Sequence, residues 1–141
     1  MEKFIGTWIL DQDEDYDTIL PIYELSWIYE LILKRLKPIV TIEKISEDKY
    51  HYCEMTSFTR VEYDFSLEEI NDFTSFNEYK GTTMLSLYDN QNRLGEIQSL
   101  FIRQDYQPFV EIIRRIIDSK MIVEYRSKGV LAKRTFRRQK L

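Results

Sequence analysis

The stretch Lys120–Phe136, KMIVEYRSKGVLAKRTF, decides the fold of this chain. Read with period two, Val130, Ala132, Arg134 and Phe136 share one face of a strand, and Leu131, Lys133, Thr135 and Arg137 share the other. The run before Gly129 alternates in the same way, with Met121, Val123 and Tyr125 on one parity. The row that ends at Phe136 is apolar except for a guanidinium that hardly ever loses its charge. An inward guanidinium is costly unless it is hydrogen-bonded and charge-balanced. Arg134 therefore marks a place where an anion is expected.

Outward from this stretch the same pattern repeats. FVEIIRRII and KMIVEYRS flank Asp118-Ser119, EYKGTTMLSLYD and RLGEIQSLFIRQ flank Asn90-Gln91-Asn92, and IVTIEKIS and KYHYCEMTS flank Glu47-Asp48. FTRVEYDFSL follows the last of these pairs, and KFIGTWILDQ reads as a first strand. Short strands separated by two or three turn residues predict an antiparallel meander. A meander this long avoids exposed edges by closing into a barrel. Between the first two strands, DYDTILPIYELSWIYELILKRLKP reads as two short helices forming a lid. Asp15 or Asp17 caps the first, Ser26 caps the second, and Pro38 ends it. Leu25, Ile28, Tyr29, Ile32 and Leu36 recur at helical spacing and are expected to face inward, leaving Trp27, Glu30, Leu31 and Lys34 outside.

The 141 residues fit one domain, 1–141, better than two. With 43% hydrophobic and 31% charged residues the chain reads as globular. A net charge of −4 argues against a general nucleic-acid binder. Acidic residues gather at Asp11–Asp17 and basic ones at Lys133–Lys140, a distribution that reads as two solvated faces. Cys53 is the only cysteine, which suits a reducing compartment. MEKFIGTWIL lacks the apolar core of a secretory signal, so a cytoplasmic location is expected. The run LSWIYELILKRL is interrupted by Glu30, Lys34 and Arg35 and is too short to span a bilayer. His51 and Cys53 share one strand face, but no third group orients them as nucleophile and base. One histidine and one cysteine make no usual zinc site, and neither GxGxxG nor a P-loop occurs. No enzymatic activity is expected.

The order and spacing of these segments resemble the intracellular fatty-acid-binding protein family, which also includes the cellular retinoid-binding proteins. The likeness begins at FIGTW, continues through LKPIVTIEK and VEYDFSL, and is strongest in KMIVEYRSKGVLAKRTF. There the family reads K-[LM]-V-V-E-x-x-x-K-G-V-x-x-x-R-x-[YF]. The resemblance implies an all-β fold: a ten-stranded antiparallel up-and-down barrel, with a helix-turn-helix lid between the first two strands and a partly hydrated internal cavity. It implies a monomer that carries long-chain fatty acids and needs no cofactor or metal. Two departures stand out. FSLEEI has Glu68 where the family has a glycine after the leucine, and is one residue short. The segment around Gln104–Pro108 makes its hairpin roughly five residues longer than usual.

In this family two inward arginines and a tyrosine hold the ligand carboxylate. Arg134 and Arg114 match the arginines, whereas Phe136 stands at the tyrosine position. Tyr125, on the row that faces inward in the family, is the candidate replacement for the missing phenol. A carboxylate matches the guanidinium fork, and each charge-assisted bond contributes ~1.5–3 kcal/mol. An acyl tail adds ~0.8 kcal/mol per buried methylene. The resemblance assigns the pocket wall to Tyr16, Ile19, Leu20, Tyr29 and Leu33 from the lid, Phe58 from the portal turn, Phe76 and Tyr79 from the middle strands, and Ile112, Val123 and Phe136. Trp27 and Leu31, with Lys34 beside them, form a face suited to transient contact with an anionic bilayer. A retinoic acid carrier fits the two arginines as well. A protein-interaction module with a vestigial cavity, using the long hairpin, is the reading from another class.

Overall fold

The computed structural model describes residues 1–140. Ten strands follow in order: β1 Gly6–Glu14, β2 Ile39–Ser46, β3 Lys49–Met55, β4 Arg60–Phe65, β5 Ile70–Thr74, β6 Lys80–Tyr88, β7 Arg93–Leu100, β8 Phe109–Ile117, β9 Lys120–Ser127 and β10 Val130–Arg138. Between β1 and β2 lie helices α1, Tyr16–Ile19, and α2, Trp27–Leu33, with a 3-10 turn over Leu20–Tyr23 between them. Neighbours pair antiparallel in the order β4-β3-β2-β1-β10-β9-β8-β7-β6-β5. The β1–β10 pair joins the two ends of the chain and curls the meander into a barrel. Closure is not complete, contrary to the expectation of a barrel without edges: β4 and β5 sit at opposite ends of the hydrogen-bonded order.

The turns follow local chemistry. Asp118 and Ser119 have φ of 52° and 64°, the backbone of a type I′ hairpin turn. Glu68 has φ 65° and donates its N–H to the Leu85 carbonyl at 2.7 Å. A glycine takes that backbone without steric cost, and the chain holds it with a glutamate instead. β5, which residue patterning alone did not pick out, is five residues long, and Asn71 and Asp72 interrupt its apolar pattern.

The lid differs from its sequence reading in three respects. Asp15 precedes α1 with φ 57° and makes no side-chain cap. α2 stops at Leu33, before Pro38, because Arg35 and Leu36 donate back to Ile32 and Leu33 and tighten the last turn. Ile28 and Ile32 point to solvent rather than inward, and Leu33 is the buried residue of α2. The Ser26 cap forms as expected, its hydroxyl accepting from the Tyr29 N–H at 3.3 Å.

The core fills the barrel. Phe4 and Trp8 are fully buried, and the Trp8 indole donates to the Phe4 carbonyl at 3.0 Å. The loop between β7 and β8 is long and folds back on itself through an Arg103–Tyr106 bridge.

Candidate functional site: the charged interior of the barrel

Two inward rows place arginines side by side. Arg114 on β8 and Arg134 on β10 both pair in register with Val123 on β9 between them. They lie at one level, two strands apart, about 10 Å between backbones. Each is 2% exposed. The neighbouring Arg115 points the other way and pairs with Glu124. Tyr125, two residues along β9, is buried one step further into the same face.

Neither arginine is alone. Nη1 of Arg114 lies 2.8 Å from Oε1 of Glu96 on β7, and both side chains are buried. The contact is ionic; among the described residues neither atom has a hydrogen-bond partner. The other carboxylate oxygen of Glu96 accepts from the Tyr63 hydroxyl at 2.6 Å, the Thr83 hydroxyl at 2.5 Å and the Gln98 amide at 2.9 Å. Burial opposes charge on Glu96, but Arg114 and these three donors outweigh it and hold its carboxyl below the usual range. Burial likewise opposes the charge on Arg114, and Glu96 together with Tyr52, Tyr63 and Tyr125 outweighs it. The pair is therefore ionised and internally neutral. Glu96 has the same sequence signal as Arg134, a charge in an inward row (Leu94, Glu96, Gln98, Leu100), and sequence reasoning passed over it.

Arg134 has a different environment. Its Nε donates to Asp13 of β1 at 2.8 Å, and that carboxylate side chain keeps 29% of its surface in water. Its Cζ lies 3.3 Å from the ring centroid of Tyr16 on α1, so the lid stacks directly on the guanidinium. Tyr16 in turn meets Tyr125 edge-on at 5.6 Å. Burial pushes the Tyr125 phenol well up, so it remains a proton donor across the ordinary pH range.

The space between these groups is small. A cavity of about 50 Å³ is lined by Tyr16, Tyr23, Tyr52, Phe76, Tyr125 and Arg114, among others. A second, of about 20 Å³, lies between Leu33, Phe76, Glu54 and Arg134. Sites for small organic ligands are roughly 300–1,000 Å³. The internal cavity implied by the resemblance is thus narrow in this chain, because inward aromatics occupy it. Tyr23 of the lid packs edge-on against Phe76 at 4.8 Å and forms much of this filling.

The remaining candidates divide. Tyr16, Leu33, Phe76 and Ile112 line the cavities. Ile19, Leu20, Val123 and Phe136 are buried in the packed interior. Tyr29 meets Phe58 edge-on and stacks on Phe76. Phe58, assigned to the wall, is instead 54% exposed at the β3–β4 turn. Phe76 and Tyr79 belong to the β5–β6 turn rather than to strands, because the Ser75 hydroxyl accepts from the Tyr79 N–H and closes that turn. Trp27 and Lys34 are exposed, and Leu31 is half-buried. Among the described residues no cluster of three or more His, Cys, Asp or Glu side chains is placed to hold a metal ion.

No family model matches the chain. It is 24% identical over 105 residues to fatty acid-binding protein homolog 2 of Echinococcus granulosus, covering 72% of this chain and 79% of that protein. The crystal structure of fatty-acid-binding protein 1 from the same organism superposes with a TM-score of 0.87 at 16% identity, over 99% of this chain and 100% of that one. A Schistosoma mansoni fatty acid binding protein in complex with arachidonic acid gives 0.86 at 19% identity, over 99% and 98%. The barrel and its lid are the fold of the fatty-acid-binding proteins. The sequence likeness beside that fold makes the chain similar to the intracellular lipid-binding proteins.

Proposed function

We propose that this protein is a non-enzymatic carrier that takes a long-chain fatty acid into its barrel. The observation that carries the reading is Arg134: a buried guanidinium, hydrogen-bonded only through Nε among the described residues, with a lid aromatic stacked on it. A carboxylate can accept from the remaining fork and from the Tyr125 phenol, which takes the role of the absent motif tyrosine. Tyr16 couples this anchor to the lid. Because the cavities are small, the acyl tail enters only as Tyr23 and Phe76 swing aside, so uptake and lid opening are one event. The fatty acid-binding relatives, one with arachidonic acid bound, support the ligand class.

The carrier acts as a cytoplasmic monomer. The outer face of α2 meets an anionic membrane during delivery: Trp27 and Ile28 are 74% and 52% exposed, beside Lys34, Arg35 and Lys37.

Displacement of a fluorescent fatty acid by oleate tests the reading. Arg134→Gln is expected to weaken oleate about tenfold or more, the worth of one charge-assisted bond. Tyr125→Phe is expected to weaken it by a smaller factor. Unchanged affinity in both variants, or no displacement from the wild type at micromolar oleate, would sink the proposal. The second outcome would favour an interaction module, for which the filled interior is the supporting observation.

A further inference from the structure

Glu96 has no role in the carboxylate site just described, yet it is the most completely buried charge in the molecule's interior network. Register explains its reach. Glu96 pairs with Ile112, and Leu94 pairs with Arg114, so Glu96 and Arg114 are diagonal neighbours on one inward face. The carboxylate fills the place beside the guanidinium that a ligand's carboxylate would otherwise take. A second carboxylate there would set two like charges against one guanidinium in a desolvated interior, which disfavours both. Releasing Glu96 to make room would strip it of Arg114 and leave a buried charge unpaired.

Arg134 offers the opposite balance. Its partner Asp13 sits at the rim, partly hydrated, and can turn to water when a ligand arrives, while Glu54, the other carboxylate on this cavity, is bonded by the Tyr52 hydroxyl at 2.9 Å rather than by Arg134. Of two arginines at one level, one is therefore closed to an anion and one is open.

We propose that Glu96 determines head-group selectivity: by holding Arg114 it confines a ligand carboxylate to Arg134 under the lid, and leaves the Arg114 end of the cavity to uncharged groups. This rests on the lipid-carrier reading and assigns the ligand's polar end within it. Arg114 lines the cavity, and its guanidinium donors suit a neutral hydroxyl or carbonyl oxygen on the ligand.

The test compares oleate with oleyl alcohol, which share a tail and differ in charge. Glu96→Gln keeps the shape and its acceptor oxygen but returns a net charge to Arg114. It is expected to bind oleate about tenfold more tightly than the wild type, with oleyl alcohol changed far less. That gain should vanish in the double variant Glu96→Gln with Arg114→Gln. The wild type supplies a check that needs no variant to fold. On titration with oleate, the Nε–H resonance of Arg134 should shift while that of Arg114 stays put. No oleate gain in Glu96→Gln, or an Arg114 response as large as that of Arg134, overturns the proposal. If the wild type binds both ligands and fails these tests, only the role of Glu96 falls. If it binds neither, the carrier reading falls with it.

Discussion

His51 shows how a single residue on the barrel wall couples to solution conditions. It lies on β3 with Asp64 and Glu62 of β4 beside it, and with Glu43 opposite it on β2. Its ring contacts Asp64 at 2.5 Å and Glu62 at 3.1 Å, and Glu62 is also bonded by Arg60. The hydrogen bond to Asp64, more than the opposing partial burial, raises the His51 pKa above its usual 6.5. A raised folded pKa means that the stabilisation is complete below about 6.5 and is lost as pH rises through the higher folded value. The melting temperature should therefore fall as pH rises above about 6.5 and through the raised folded value. His51→Gln should flatten that slope, and superposable wild-type and variant pH profiles would contradict the assignment. The same scale shows why Arg134 was legible and Glu96 was not. Both interrupt an apolar row, but only the β10 row stands in a stretch that also carries a family motif. The partner that gives Glu96 its meaning, Arg114, is 18 positions away, and only the β7–β8 register brings the two together.

At the scale of elements, the loop between β7 and β8 has an assignable role. The Tyr106 hydroxyl donates to the Ile22 carbonyl of the lid at 2.8 Å, Arg103 pairs with Glu24, and Lys128 stacks 3.7 Å from the Tyr106 ring. The extra residues of this hairpin thus fasten the middle of the lid to the barrel wall. Tyr106→Phe removes one hydrogen bond of ~0.5–1.5 kcal/mol, so amide exchange over Ile22–Glu24 and dissociation of bound oleate should both quicken roughly two- to tenfold. Rates unchanged in both measurements would mean that the latch does not limit opening. The loop's length was readable from the spacing of its flanking strands. Its contact with the lid was not, because Ile22 and Tyr106 are 84 residues apart. α2 shows the converse error. Helical spacing alone put Ile28 and Ile32 inward, but α2 is only seven residues long and buries little besides Leu33, so its apolar residues spread around the axis.

For the molecule as a whole, the outward face of that short helix matters most. Trp27, Ile28 and Ile32 are exposed on it beside a basic run of Lys34, Arg35 and Lys37. If the carrier meets membranes through it, transfer of a fluorescent fatty acid to anionic vesicles should slow several-fold in Trp27→Ala and in Lys34→Glu, with little change for neutral vesicles. Rates indifferent to both substitutions would refute membrane contact by this face. The filled interior sets the other condition, since a ligand far larger than about 50 Å³ enters only by displacing aromatics that now pack on one another. By itself the sequence determined the strands, most of their turns, the lid's position and the inward parity of Arg134, because alternation, turn residues and caps act over a few neighbours. Tertiary structure alone decided which charges meet, how full the cavity is, where the barrel stays open and what holds the lid. Those depend on register between strands and on side-chain volume summed across the barrel, and no local pattern in the chain carries either.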